Sequence, residues 1–100
     1  MAEQDAVTLS NPTGERFHAI KRAPRRSTPR IIVEYDGPLA MLALDFGVGE
    51  PGQERKVLEV NRLGEFLAPE VIPPGGLLSY RARAIPRGEV KITVLWEEPK

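Results

Sequence analysis

The chain contains no cysteine, one histidine, one tryptophan and two methionines among its 100 residues. Without cysteine there is neither a disulfide framework nor a thiolate metal site, so the redox compartment is left open and stability must come from packing. A metal centre built on His18 would need carboxylates converging from distant segments, and no His-x-x-x-His spacing exists to begin one. No long apolar run is present. The longest, residues 38–44, falls far short of a membrane span, and Met1-Ala2-Glu3-Gln4-Asp5 is acidic where a signal peptide would be basic and then apolar. The expectation is a soluble chain with no membrane partner. Asparagine, glutamine and methionine are scarce and ten arginines stand against four lysines, a composition that points to a thermophilic or GC-rich source.

What is there reads as one folded domain. With 41% hydrophobic and 28% charged residues the chain is too apolar for intrinsic disorder. Ten prolines and nine glycines, spread along the whole length, would interrupt helices longer than about two turns. This punctuation predicts an all-β fold: a β-sandwich of jelly-roll type with about eight short antiparallel strands. Strand signals fall at residues 30–35, 39–46, 56–61, 71–72, 77–85 and 89–97, with weaker apolar stretches at 7–9 and 17–20. The separators are turn formers: Asp36-Gly37-Pro38, the glycine loop at 47–52, and Pro73-Pro74-Gly75-Gly76. The nearly all-apolar run at 39–44 predicts a central strand buried on both faces.

Ile85-Pro86-Arg87-Gly88 has the pattern of a type I turn with a glycine bulge, which predicts a hairpin between the last two strands. Setting Ile85 opposite Glu89 pairs Ala84 with Val90, Ala82 with Ile92, Tyr80 with Val94 and Leu78 with Trp96. One face is then wholly apolar and the other carries Ser79, Arg81, Arg83, Lys91 and Thr93. In that register Arg83 meets Lys91, so a compensating carboxylate is expected nearby, from Glu89, from a neighbouring strand, or from another subunit.

The formal charge of zero hides an asymmetry. Residues 1–30 carry six Lys/Arg and three Asp/Glu, whereas the remainder carries eight and eleven. Residues 1–29 therefore read as a basic, proline-containing arm that adds at most one or two edge strands, and residues 30–100 as the sandwich body. Within residues 21–30 the five cations Lys21, Arg22, Arg25, Arg26 and Arg30 cannot share a helix through Pro24 and Pro29. They form an extended segment, mobile unless something holds it, that reads either as a plain solvated linker or as one suited to an acidic protein surface or to phosphates. The body has no basic stripe with interleaved aromatics, which makes nucleic acid the less suitable partner.

No constellation supports catalysis. Ser10, Ser27 and Ser79 lie in no nucleophile elbow, and the carboxylates Asp36, Asp45, Glu50, Glu54, Glu97 and Glu98 read as surface charge in turns and at the carboxyl end. Gly47-x-Gly49-x-x-Gly52 spells a dinucleotide fingerprint but contains Pro51 and precedes no helix, and Asn11-Pro12-Thr13 has proline where a glycosylation acceptor forbids it. His18 reads as a surface or edge-strand residue, and Trp96 and Tyr80 as core. Neither an enzyme nor a cofactor is expected.

The stretch from Val71-Ile72-Pro73-Pro74-Gly75-Gly76 through Arg83-Ala84, followed by Glu89 to Glu98, resembles the ends of small bacteriophage virion proteins: capsid decoration (cement) proteins and tail or spike modules of β-sandwich fold. The resemblance covers about a third of the chain and is one of pattern. It implies a non-enzymatic structural protein at the capsid surface of a virion, made in the host cytoplasm. Such a protein binds across subunits of the major capsid protein, commonly as a homotrimer with an arm reaching over its neighbours. Two other functions fit the same residues: a receptor- or carbohydrate-binding module of a tail fibre or spike, using loops 47–55 and 62–70, and a nucleic-acid-binding accessory protein acting through the basic arm.

Overall fold

The computed structural model describes residues 3–38 and 41–99. Eight strands run in order: β1 (Glu3–Leu9), β2 (His18–Arg22), β3 (Thr28–Tyr35), β4 (Ala43–Val48), β5 (Arg55–Val60), β6 (Gly64–Leu67), β7 (Leu77–Ala84) and β8 (Val90–Glu97). They form two four-stranded sheets, β1-β8-β3-β6 and β2-β7-β4-β5, and every pairing is antiparallel. The protein is thus an all-β sandwich. The pairing is nested: β1 lies beside β8, β2 beside β7, β3 beside β6 and β4 beside β5, while β8–β3 and β7–β4 contacts complete each sheet. No helix occurs among the described residues, and so none long and apolar enough to cross a membrane.

The core follows from two-residue alternation. Ile31 and Val33 of β3, with Val90, Ile92, Val94 and Trp96 of β8, face Leu44 and Phe46 of β4 and Leu78 and Ala82 of β7, all of them buried. Trp96 is fully enclosed, and its indole Nε1 donates to Asp5 Oδ2 at 2.8 Å, so the one polar atom of the largest core side chain is satisfied from β1. The central strand β4 is buried on both faces over its middle, as its apolar composition predicts. It begins at Ala43; Leu39 and Ala40, at the start of the predicted strand, lie outside the described residues, and Met41 is exposed.

The predicted final hairpin does not form. β7 and β8 belong to different sheets, so Ala82 pairs with Leu44 and Tyr80 with Phe46, while Ile92 pairs with Val33 and Val94 with Ile31. The inward face was nonetheless correct, because strands that face one another across a core alternate in the same way as strands that pair within a sheet. Alternation identifies the buried face and leaves the neighbour undetermined. The Pro86-Arg87-Gly88 turn carries the chain from one sheet to the other. Gly88 takes a φ of +104°, and the Tyr35 hydroxyl donates to the Arg87 carbonyl.

Residues 1–29 add two edge strands, the most expected of them, and in doing so become part of the sandwich. β3 begins at Thr28, and β1 and β2 form the outer strands beside β8 and β7. The 23–27 segment, which crosses between the sheets, is held by the loop before β7. Ala23 N donates to Gly76 O and Gly75 N to Ala23 O, while Ser27 and Ile72 exchange both backbone hydrogen bonds. Residues 71–72, predicted as a short strand, supply only this bridge. Loop 62–70 in turn contains an edge strand, β6.

Candidate docking surface

The cations of residues 21–30 gather at the corner where β2 hands over to β3, and most are already paired. Arg22 makes a two-pronged contact with Glu50, with Nη1 to Oε2 at 2.7 Å and Nη2 to Oε1 at 2.9 Å, and also donates to the Gly75 carbonyl at 3.0 Å. The hydrogen bonds hold the Glu50 carboxyl below its ordinary pKa and raise that of the guanidinium. Lys21 Nζ lies 3.4 Å from Asp5, and Arg25 donates to the Trp96 carbonyl at 3.1 Å with Glu3 at 3.7 Å. Arg30 meets Glu97 at 3.0 Å, and that hydrogen bond raises its pKa. Among the described residues Arg26 alone of the five has no ion partner, and it is exposed. The segment is therefore ordered, with its carboxylate partners on β1, the β4–β5 turn and β8. These pairs are solvent-exposed, and water screens them, so each contributes little to stability.

A second charged cluster lies on the outer face of the β2-β7-β4-β5 sheet. Asp45 is fully buried. Arg81 reaches it with Nε at 2.9 Å and Nη2 at 2.7 Å, and Arg83 with Nε at 2.9 Å and Nη2 at 3.3 Å. Burial alone would raise the Asp45 carboxyl, but hydrogen bonds from the two guanidinium groups, reinforced by their charge, outweigh it and hold the pKa below the ordinary value. Glu59 of β5 adds a contact to Arg83 at 3.5 Å. The carboxylate expected to compensate Arg83 thus comes from neighbouring strands within the chain. The reading of Asp45 as a solvated turn residue is corrected: it sits mid-strand, paired in register with Arg81. The Arg81-x-Arg83 spacing was the signal in the sequence, since two cations on one strand face require an anion beside them.

The segment before β2 covers part of this face. The Arg81 guanidinium stacks 4.4 Å above the Phe17 ring and donates to the Glu15 carbonyl, while Thr13 and Ala82 hydrogen-bond through their backbones. Phe17 packs so closely over Gly47 that a Cβ there would lie 2.9 Å from its ring, which accounts for one glycine of the false dinucleotide motif. His18 is exposed on β2 and stacks on Tyr80, with ring centroids 5.7 Å apart. Of the loops considered for a glycan, 47–55 forms the β4–β5 turn, and a shallow groove of about 240 Å³ opens beside it between Glu15, Phe17, Pro51 and Glu54.

The remaining broad surface is the outer face of the β1-β8-β3-β6 sheet. Its register defines three rows: Gln4-Leu95-Arg30-Leu67, then Ala6-Thr93-Ile32-Glu65, then Thr8-Lys91-Glu34. No protein-family model matches the chain, and comparison with curated proteins and with solved structures yields no significant match.

Proposed function

We propose that the protein is a structural virion protein, a capsid decoration protein that acts by docking and carries out no chemistry. The observation that supports this reading is the nested strand order. The pairing of β1 with β8, β2 with β7, β3 with β6 and β4 with β5 supports a rolled eight-strand hairpin of jelly-roll type, an architecture shared by viral capsid and lectin domains. The step from fold to function is an analogy of architecture. The corner formed by Lys21, Arg22, Arg25 and Arg26 is the proposed contact with the lattice, with Arg30 beside it at the edge of the sheet face. Because the corner's ion pairs are exposed, an acidic partner surface can replace Glu50, Asp5 or Glu3 as the counter-charge at little cost, and repetition of the contact over a lattice slows dissociation.

The direct test is cosedimentation of the purified chain with heads of the virus from which the gene derives. Saturable pelleting with the heads is the expected result. Absence of pelleting, together with glycan-array binding, would replace the proposal with the carbohydrate-binding module; salt-sensitive retention on heparin would replace it with the nucleic-acid reading.

A further inference from the structure

Among the described residues each sheet of the sandwich has two edge strands, β1 and β6 in one and β2 and β5 in the other. An open edge presents unpaired N–H and C=O groups to any strand that fits, and proteins guard it with bulges, short strands, proline or lysine. Three of the four edges carry such guards. β2 has a register break between Ala19 and Lys21 and ends in Lys21-Arg22, β5 has one opposite Phe46 and Gly47 and begins with Arg55-Lys56, and β6 is four residues long. β1, by contrast, runs seven residues in unbroken register along β8, with neither lysine nor proline. Its inward charge, Asp5, is taken up by the Trp96 indole and by Lys21. The phase of the β1 backbone follows from β3. Ala68 N donates to the Pro29 carbonyl, so the odd-numbered residues of β3 turn their backbone groups towards β6 and the even-numbered ones towards β8. Carried across β8, this alternation directs the groups of Glu3, Asp5, Val7 and Leu9 to β8 and leaves those of Gln4, Ala6 and Thr8 at the free edge. All three residues are exposed, and their backbone groups have no partner among the described residues.

We propose that a second copy of the chain pairs with this edge, β1 against β1 in antiparallel sense, about a two-fold axis that passes beside Ala6 and stands normal to the sheet. Ala6 then exchanges both backbone hydrogen bonds with the partner's Ala6, Gln4 with the partner's Thr8 and Thr8 with the partner's Gln4, which joins the two four-stranded sheets into one. The occupant is a second copy because the strand fits its own reverse. On the outer face the opposed side chains are Ala6 with Ala6 and Gln4 with Thr8; on the inner face they are Asp5 with Val7 and Glu3 with Leu9, so no like charges stand directly opposite each other. Moving the axis to Asp5 sets that carboxylate against the partner's Asp5. Moving it to Val7 carries Gln4 past Leu9, the last residue of the strand, to lie opposite the partner's Ser10. The axis at Ala6 pairs all three free residues, and the two Asp5 side chains, diagonal neighbours there, each have Lys21 at 3.4 Å. An isologous contact of this kind closes at two copies. The inference does not rest on the capsid reading, and it gives a two-fold pair where the sequence resemblance implies a trimer.

The test is light scattering of the full chain together with substitutions at the axis. The wild type is expected at twice the 11.1 kDa chain mass. Ala6→Pro removes an N–H that faces away from β8, so this variant should keep a native circular dichroism spectrum while the dimer weakens at least about tenfold. Ala6→Cys reads the register whether or not the proline variant folds. Opposed residues of a hydrogen-bonded pair have Cα atoms about 5.5 Å apart, within the span of a disulfide, and the chain has no cysteine of its own. Mild oxidation should therefore cross-link Ala6→Cys as a dimer on a non-reducing gel, whereas Thr8→Cys, placed opposite the partner's Gln4, should not cross-link. A wild type that stays monomeric to about 100 μM, a stoichiometry other than two, a folded Ala6→Pro that associates as tightly as the wild type, or cross-linking of Thr8→Cys as readily as Ala6→Cys would overturn the proposal.

Discussion

Asp45 and Arg81 face each other across the β4–β7 ladder, 2.7 Å apart at Oδ2 and Nη2, with the carboxylate fully buried and the guanidinium one-fifth exposed. Arg83, two residues further along β7, also reaches Oδ2 with its Nε at 2.9 Å and Oδ1 with its Nη2 at 3.3 Å. This clamp is the most enclosed electrostatic feature among the described residues, and removing the anion leaves Arg81 without its carboxylate and Arg83 with only Glu59, at 3.5 Å. Asp45→Ala is expected to cost about 3 kcal/mol of folding stability, the scale of breaking a buried pair. Urea denaturation would measure it, and a loss within 0.5 kcal/mol would show that water compensates the arginines.

The same clamp gives the protein an acid-sensitive element. The folded-state pKa of Asp45 lies below the ordinary carboxylate value of roughly 3.9, so its contribution is fully present above that value and is lost as the pH falls through the depressed one. Glu50 and Glu70, lowered by Arg22 and Arg55, act in the same direction from more exposed positions. Melting temperatures recorded between pH 7 and pH 2 should fall at the acid end, and Asp45→Asn should show a shallower fall from a lower starting point. Parallel profiles for the two proteins would place the acid sensitivity elsewhere.

Removal of residues 1–29 should abolish folding rather than release a sandwich body. The cut deletes β1 and β2, exposes the edges of β8 and β7, and takes away Asp5, the partner of the Trp96 indole. Expression of the shortened chain and its circular dichroism spectrum test this. A soluble, cooperatively melting product would restore the separate arm.

Two glycines of the β4–β5 turn should respond differently to alanine. Gly49 has a φ of +142°, and a Cβ there would lie 2.6 Å from the Gln53 carbonyl oxygen, a backbone atom that cannot turn aside. Gly52 has a φ of +87° with open space around it. Gly52→Ala is expected to lose about 1 kcal/mol from backbone conformation alone, and Gly49→Ala clearly more, by thermal or urea melts. Equal losses would show that the turn relaxes around the added carbon.

The strand class, most strand positions and the inward faces were legible in the sequence because they depend on local alternation and on turn residues, although residues 71–72, which read as a strand, form only a bridge, and β6 reads as a loop. The partners of those strands were not. Ala82 and Ile92 both point into the core, and nothing local distinguishes a neighbour in the same sheet from one facing it in the other. The basic run at residues 21–30 suggested a free arm because proline and arginine do show extended, polar chain. Its ordering depends on Gly75, Gly76 and Ile72, which lie some fifty residues away. Asp45 escaped notice for a similar reason: it follows an apolar run and precedes a glycine, as a turn residue would, and only the pairing with β7 reveals the arginines beside it.

The central claim is that the chain docks on a viral lattice through the β2–β3 corner. Its most direct test compares head cosedimentation of the wild type with that of a variant carrying alanine at Lys21, Arg22, Arg25 and Arg26, both shown to melt cooperatively. The wild type is expected to pellet saturably and the variant to remain in the supernatant; pelleting of the two proteins to the same extent would contradict docking through this corner.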